Sequence, residues 1–156
     1  MYSAWQADIL NTAMHRSVSV AHGPAHKRTK VIEGLYEFVI INYDGVAIVK
    51  DDIIKGGFDL IVVDEANAYK SPQTARWKTL AKLLKPETRL WMMTGTPASQ
   101  SPVDAYGLAK LVCPQNVPKF AMAWRDKVMY QVTRFKWIPK PNAKNEVFKE
   151  IGRAHV

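Results

Sequence analysis

A chain of 156 residues with 47% apolar content is long enough for one domain with a sizeable core, and no apolar run reaches the ~20 residues that span a bilayer. One cysteine, Cys113, excludes an internal disulfide, and the opening Met1-Tyr2-Ser3-Ala4-Trp5-Gln6 lacks the basic-then-apolar pattern of a signal peptide, so a reducing cytoplasmic or nuclear setting is expected. Net charge is +8: residues 116–156 hold nine Lys or Arg against three acids, and residues 15–30 hold Arg16, Lys27, Arg28 and Lys30 with no acid. Basic clusters bind polyanions by releasing their counterions, which makes nucleic acid the expected partner.

In chain order, the pattern predicts a helix over residues 3–14, a short strand over 17–21 closed by His22-Gly23-Pro24, and a basic helix over 25–33. Glu37–Asn42 reads as a buried strand. Asn42-Tyr43-Asp44 then caps a helix running to about Ile54 and ended by Gly56-Gly57. Asp59–Val63 is an apolar, β-branched strand of the kind buried on both faces of a parallel sheet. Ser71-Pro72 opens a helix over 72–84, Arg89–Met93 is a fourth strand, and Ser101-Pro102 opens a helix that Pro114 follows. Four strands alternating with helices predict a parallel α/β sheet flanked by helices. From residue 116 onward prolines interrupt the chain, aromatics interleave with bases, and a last helix is expected over 142–151. That change divides residues 1–115 from a basic, aromatic-rich extension over 116–156, whose rings serve as core or stack on bases.

The chemistry concentrates where Asp59–Val63 ends in Asp64-Glu65-Ala66-Asn67. Carboxylates at the C-terminal end of a parallel strand stand where open α/β sheets bind ligands. One acid can hold a hard cation and the other can position or deprotonate a water. In the alternative, Asp64 caps the next helix and Glu65 is merely solvated. The fourth strand ends in Thr94-Gly95-Thr96-Pro97, two hydroxyls around a glycine.

Together, Val63-Asp64-Glu65-Ala66-Asn67 and Thr94-Gly95-Thr96-Pro97 resemble motifs II and III of superfamily 2 helicases, most closely the Snf2-type DNA translocases. The resemblance extends to Phe38–Asp44, to Lys70-Ser71, to Asp104-Ala105-Tyr106-Gly107-Leu108 and to the segment around Phe120, Trp124 and Arg125. It covers roughly residues 17–150, part of the first of two RecA-like, P-loop-NTPase-type lobes. It implies that Asp64 coordinates Mg²⁺ and that Glu65 orients or activates the water attacking the γ-phosphate of ATP. Asn67 stands where His is usual; it can hydrogen-bond but cannot take a proton. Thr94, Gly95 and Thr96 would couple the nucleotide site to a nucleic-acid track, with duplex DNA favoured. Lys27, Arg28, Lys30, Asn42, Tyr43, Lys70, Arg125 and Lys127 are the expected nucleic-acid contacts.

None of the eight glycines is followed by lysine, so the phosphate-cradling G-x-x-x-x-G-K-[ST] loop is absent. The expectation is a truncated lobe whose phosphate loop would precede residue 1, whose second lobe is missing, and which alone hydrolyses ATP negligibly. The unpaired edge of the strand over 90–93 would then invite a homodimer or a swapped element. Two rivals remain: a nucleic-acid-binding module without catalysis, and a metal-dependent nuclease using Asp64 and Glu65, which would need a third carboxylate. His22, His26 and Cys113 fit no zinc spacing.

Overall fold

The computed structural model describes residues 2–95, 98 and 100–152. The chain forms two compact units, Met1–Asp59 and Leu60–Val156. Among the described residues it is a mixed α/β protein with three two-stranded sheets.

The first unit opens with α1 (Tyr2–Thr12) and continues as β1 (Val18–Ala21), α2 (Ala25–Ile32) and β2 (Phe38–Ile41). β1 and β2 pair in parallel, Val18 opposite Phe38 through Ala21 opposite Ile41, as a helical crossover requires. Their N-terminal ends are latched: Arg16 bonds the Glu37 carboxylate, Glu37 accepts from the Ser17 amide at 3.0 Å, and Ser17 Oγ accepts from the Glu37 amide at 3.0 Å. Arg16 and the Ser17 amide hold the Glu37 carboxyl below its ordinary range.

The helix expected to run from Tyr43 to Ile54 is two helices, α3 (Tyr43–Ile48) and α4 (Lys50–Gly56), broken at Val49. Burial explains the break. Val49 is 2% exposed, and its backbone (φ −117°, ψ 28°) leaves the helical path to place that side chain in the core. Gly57 ends α4 in the left-handed region (φ 66°), where glycine meets no Cβ penalty.

The second unit begins with β3 (Leu60–Val63), a 3₁₀ turn (Ala66–Tyr69), α5 (Ala75–Leu83) and β4 (Arg89–Met92). α5 starts three residues later than Pro72 suggested, because the Thr74 side chain is the one that caps it, accepting from the Trp77 amide at 3.2 Å. β3 and β4 pair in parallel, Ile61 opposite Leu90 and Val63 opposite Met92. The expectation of a strand buried on both faces is corrected here. Val62 and its neighbour Trp91 are 41% and 61% exposed, so one face of this sheet is open. Among the described residues the four expected parallel strands pair as β1–β2 and β3–β4.

A 3₁₀ turn (Pro102–Asp104) then leads into α6 (Ala105–Val112), followed by α7 (Ala121–Val128), β5 (Met129–Thr133), β6 (Lys136–Pro139) and α8 (Ala143–Gly152). α6, α7 and α8 share one core built on Tyr106, Ala109, Cys113, Trp124, Val128 and Val147. Trp124 is fully buried and donates from Nε1 to the Pro102 carbonyl at 3.2 Å. The Tyr106 hydroxyl donates to the carbonyls of Pro118 and Lys119 at 3.1 and 2.9 Å. The segment after residue 116, expected as an extension of the same lobe, completes a core that α6 begins. The antiparallel β5–β6 hairpin lies where the sequence reading expected helical or irregular chain.

Candidate functional site

The acidic turn is built at the C-terminal end of the β3–β4 pair. Pairing continues one residue past β4: the Met93 amide donates to the Val63 carbonyl at 2.8 Å, and the Ala66 amide donates to the Met93 carbonyl at 2.9 Å. These two bonds hold Asp64 and Glu65 beside Thr94 and Gly95, so both motifs meet at one end of one small sheet. Asp64 Oδ1 accepts from the Glu65 amide at 2.8 Å, which orients the carboxylate across the turn. Glu65 itself is exposed and has a left-handed backbone (φ 48°, ψ 51°), one of two non-glycine residues with positive φ among those described. A bulky residue pays about 1 kcal/mol or more for that conformation, and such strain recurs at functional turns.

The turn is held from behind. Ala66 is fully buried and Tyr69 3% exposed, both pointing into the unit. A Cβ at Gly107 would overlap the Lys70 carbonyl and lie within 2.8 Å of the Tyr69 carbonyl, so only glycine allows α6 to approach the turn this closely. The Gly107 carbonyl in turn accepts from Trp77 Nε1 at 2.8 Å, tying α5 to the same point. Lys70 Nζ lies 3.9 Å from Asp104 Oδ2. Gly107, Trp77 and Asp104 were not singled out in the sequence as supports of the site. A glycine inside an otherwise strong helix, Tyr106-Gly107-Leu108, was the available signal, since it costs helix stability unless close packing demands it.

Asn67 is half-buried in the 3₁₀ turn, and its carbonyl accepts from the Lys70 amide at 3.3 Å. Thr94 is half-buried and Gly95 opens onto free space, with nothing within 4 Å of where a Cβ would stand. Thr96 lies outside the described residues. The oxygen-rich pair Asp64 and Glu65 suits a hard cation that draws its remaining ligands from phosphate oxygens and water. Among the described residues no group of three or more His, Cys, Asp or Glu could hold a metal, which leaves the nuclease reading without its third carboxylate.

The expected nucleic-acid contacts divide sharply. In the first unit Lys27 and Lys30 are exposed on α2, and Tyr43 is half-buried at the start of α3. Arg28 is different: it is 7% exposed, donating from Nε to the Gly23 carbonyl at 2.7 Å and from Nη1 to the Ala21 carbonyl and Asn42 Oδ1, each at 2.9 Å. Gly45 makes room for this guanidinium, which a Cβ there would strike. Arg28 and Asn42 thus form an internal lock that ties α2 to the start of α3.

In the second unit Arg125 stacks on the Trp137 ring at 3.9 Å. Lys127 donates to Glu150 Oε1 at 2.9 Å and lies 3.1 Å from Glu146 Oε2, joining α7 to α8. The Glu150 and Glu146 carboxylates push the Lys127 ammonium above its ordinary range, and Lys127 holds the Glu146 carboxyl below its own. An amine held by two carboxylates is poorly placed to meet a phosphate as well.

The sequence matches the SNF2-related domain over residues 2–151. The chain belongs to that family. This SNF2-related chain is 36% identical over 70 residues to the SWI/SNF-related matrix-associated actin-dependent regulator of chromatin subfamily A-like protein 1 of Xenopus tropicalis, and equally to that of Xenopus laevis. Each alignment covers 45% of this chain and 7% of the relative. The Bos taurus protein of the same name is 28% identical over 93 residues, covering 60% of this chain and 10% of the relative. The SNF2-related match therefore spans nearly the whole chain, while the chain aligns with a small part of each relative's length.

Proposed function

We propose that this chain is part of the first, RecA-like motor lobe of a Snf2-type translocase whose parent couples ATP hydrolysis to movement on duplex DNA. The observation that carries the reading is the convergence of Asp64-Glu65 and Thr94-Gly95 at one end of the β3–β4 pair, held in place against α6. Bound Mg·ATP would supply the phosphoryl group for transfer to water. Asp64 would hold the cation, and the exposed Glu65 would orient that water and accept its proton. Thr94 and Thr96 would report the state of this site to the nucleic-acid track.

The same reading holds that this chain alone turns over ATP negligibly. With no Gly-Lys pair in the sequence, the triphosphate lacks its lysine and much of its backbone cradle. The outer edge of β4, with Trp91 exposed beside it, would accept a further strand from another helicase segment or from a second copy.

The test is Mg·ATP hydrolysis by this chain with and without duplex DNA, beside Glu65→Gln. The expected result is background turnover in both proteins and DNA binding that weakens steeply with salt. DNA-stimulated turnover lost in Glu65→Gln would show a complete site and overturn the claim of inactivity. Absence of any DNA binding at low salt would count against the translocase reading itself.

The second reading, a nucleic-acid-binding module without catalysis, draws on the density of cations after residue 116. It predicts DNA affinity indifferent to Mg·ATP and to Glu65→Gln.

A further inference from the structure

Aromatic and basic residues mix throughout residues 116–152, but the fold sorts them. Trp124 is fully buried in the core and Trp137 is partly buried beneath Arg125. Lys127 is held by Glu146 and Glu150, and Lys140 Nζ donates to the Asp126 carbonyl at 2.6 Å. Phe120 and Phe148 are 67% and 53% exposed beside Lys119 and Lys144, and the tip of the β5–β6 hairpin is barer still. Phe135 is 88% exposed between Arg134 and Lys136, and the hairpin itself, residues 129–139, holds these two cations and no carboxylate.

The hairpin projects beyond the core. Met129 is buried, yet Tyr130, Gln131, Val132 and Thr133 are all exposed, so both faces of β5 lose their cover after its first residue. The tip is nonetheless ordered by its own bonds. Thr133 Oγ1 accepts from the amides of Phe135 at 3.4 Å and Lys136 at 3.1 Å, and Gln131 Nε2 donates to the Arg134 carbonyl at 3.1 Å. The Arg134 guanidinium lies over the Phe135 ring, 5.5 Å from its centre. A phenylalanine so exposed adds little to folding, because an isolated two-stranded ribbon is marginal and buries only a small part of it.

We infer that the hairpin tip is a contact for unpaired nucleic acid, with Phe135 stacking on a base and Arg134 and Lys136 receiving the flanking phosphates. The inference rests on the nucleic-acid reading above and adds a site to it. Ring faces bind any base, and cations on either side track the backbone. A base inside a duplex already has both faces stacked, so the tip would engage single strands, frayed ends and junctions in preference to continuous duplex. The absence of carboxylates favours this polyanion over a protein partner, whose surface carries both signs.

The experiment measures binding of the 156-residue chain to end-labelled oligothymidine, a forked duplex and a blunt duplex by fluorescence anisotropy across a salt series. Phe135→Ala should weaken oligothymidine and fork about tenfold while changing the blunt duplex little, and Phe135→Trp should restore both. Arg134→Gln and Lys136→Gln should each lower the salt slope by about one. Thermal melts matching the parent chain establish that each variant is folded.

Unchanged binding in Phe135→Ala, with the charge variants weakened on every probe, overturns stacking and leaves a phosphate contact alone. All variants binding like the parent overturns the site. A parent chain that binds none of the three overturns the inference together with the nucleic-acid reading.

Discussion

The acidic turn and the β5–β6 hairpin both present to solvent a side chain with a proposed role, but the fold secures them in opposite ways. Behind Glu65 stand a fully buried Ala66, the bonds to Met93 and a helix packed so closely that Gly107 cannot carry a Cβ. Phe135 is held by a turn bonded only to itself. A carboxylate that must meet one water gains from surroundings that over-determine its backbone. A ring that must meet any base gains from reach, and the neighbouring core need not shape it.

The strongest way to break the comparison is Gly107→Ala. The new methyl collides with backbone atoms of the acidic turn, which cannot rotate away as a side chain would. We expect a loss of about 2–3 kcal/mol in denaturant unfolding, net of alanine's better helix propensity. A loss below about 0.5 kcal/mol would show that the turn is not braced by α6 and resembles the hairpin in its freedom.

Lys127→Met sharpens the comparison on the hairpin's side, because the α7–α8 clamp anchors the helix from which β5 departs. It strands Glu150, which is 6% exposed, but Lys127 is itself about one-third exposed and screened by water, so the expected loss is about 1–2 kcal/mol. The sign with pH follows from two directions. The folded Lys127 pKa is raised, so its contribution is present below its unfolded value of 10.5 and fades as pH climbs through the folded one. The folded Glu146 pKa is lowered, so its contribution is present above its unfolded value of 4.5 and fades as pH falls through the folded one. The gap between parent and Lys127→Met should therefore be widest between these limits and narrow at either end. A gap that does not vary with pH would mean the loss came from packing of the lysine stem alone.

The smallest expected effect is Glu65→Gly. It removes the left-handed strain but frees the unfolded chain, so unfolding should show a gain of roughly 0.5 kcal/mol. A clear destabilisation would show that the Glu65 side chain holds the turn rather than being held by it.

Much of the local structure was legible in the sequence. Apolar runs marked β1 to β4 to within a residue or two, and Ser101-Pro102 marked the entry to α6, because these signals act over a few neighbouring residues. The two motifs carrying Asp64-Glu65 and Thr94-Gly95 were legible too, through a resemblance in short stretches, whereas their meeting at one end of the β3–β4 pair is a finding of the structure. Val49 escaped, since nothing local distinguishes a valine that continues a helix from one that must leave it to reach a core. The hairpin escaped because prolines and mixed charges obscured its alternation, and its register carries a bulge between Gln131 and Thr133.

The sequence by itself thus determined the alternation of strands and helices, the family and the identity of the acids at the strand end, all properties of residues close together in the chain. Tertiary structure alone decided which like residues do unlike things. Arg28 and Lys27 are neighbours, yet one is locked among carbonyls and the other stands in solvent; Trp124 is core and Phe135 is bare. Those outcomes depend on which groups distant in sequence arrive beside each side chain, and burial is a property of that company rather than of the residue.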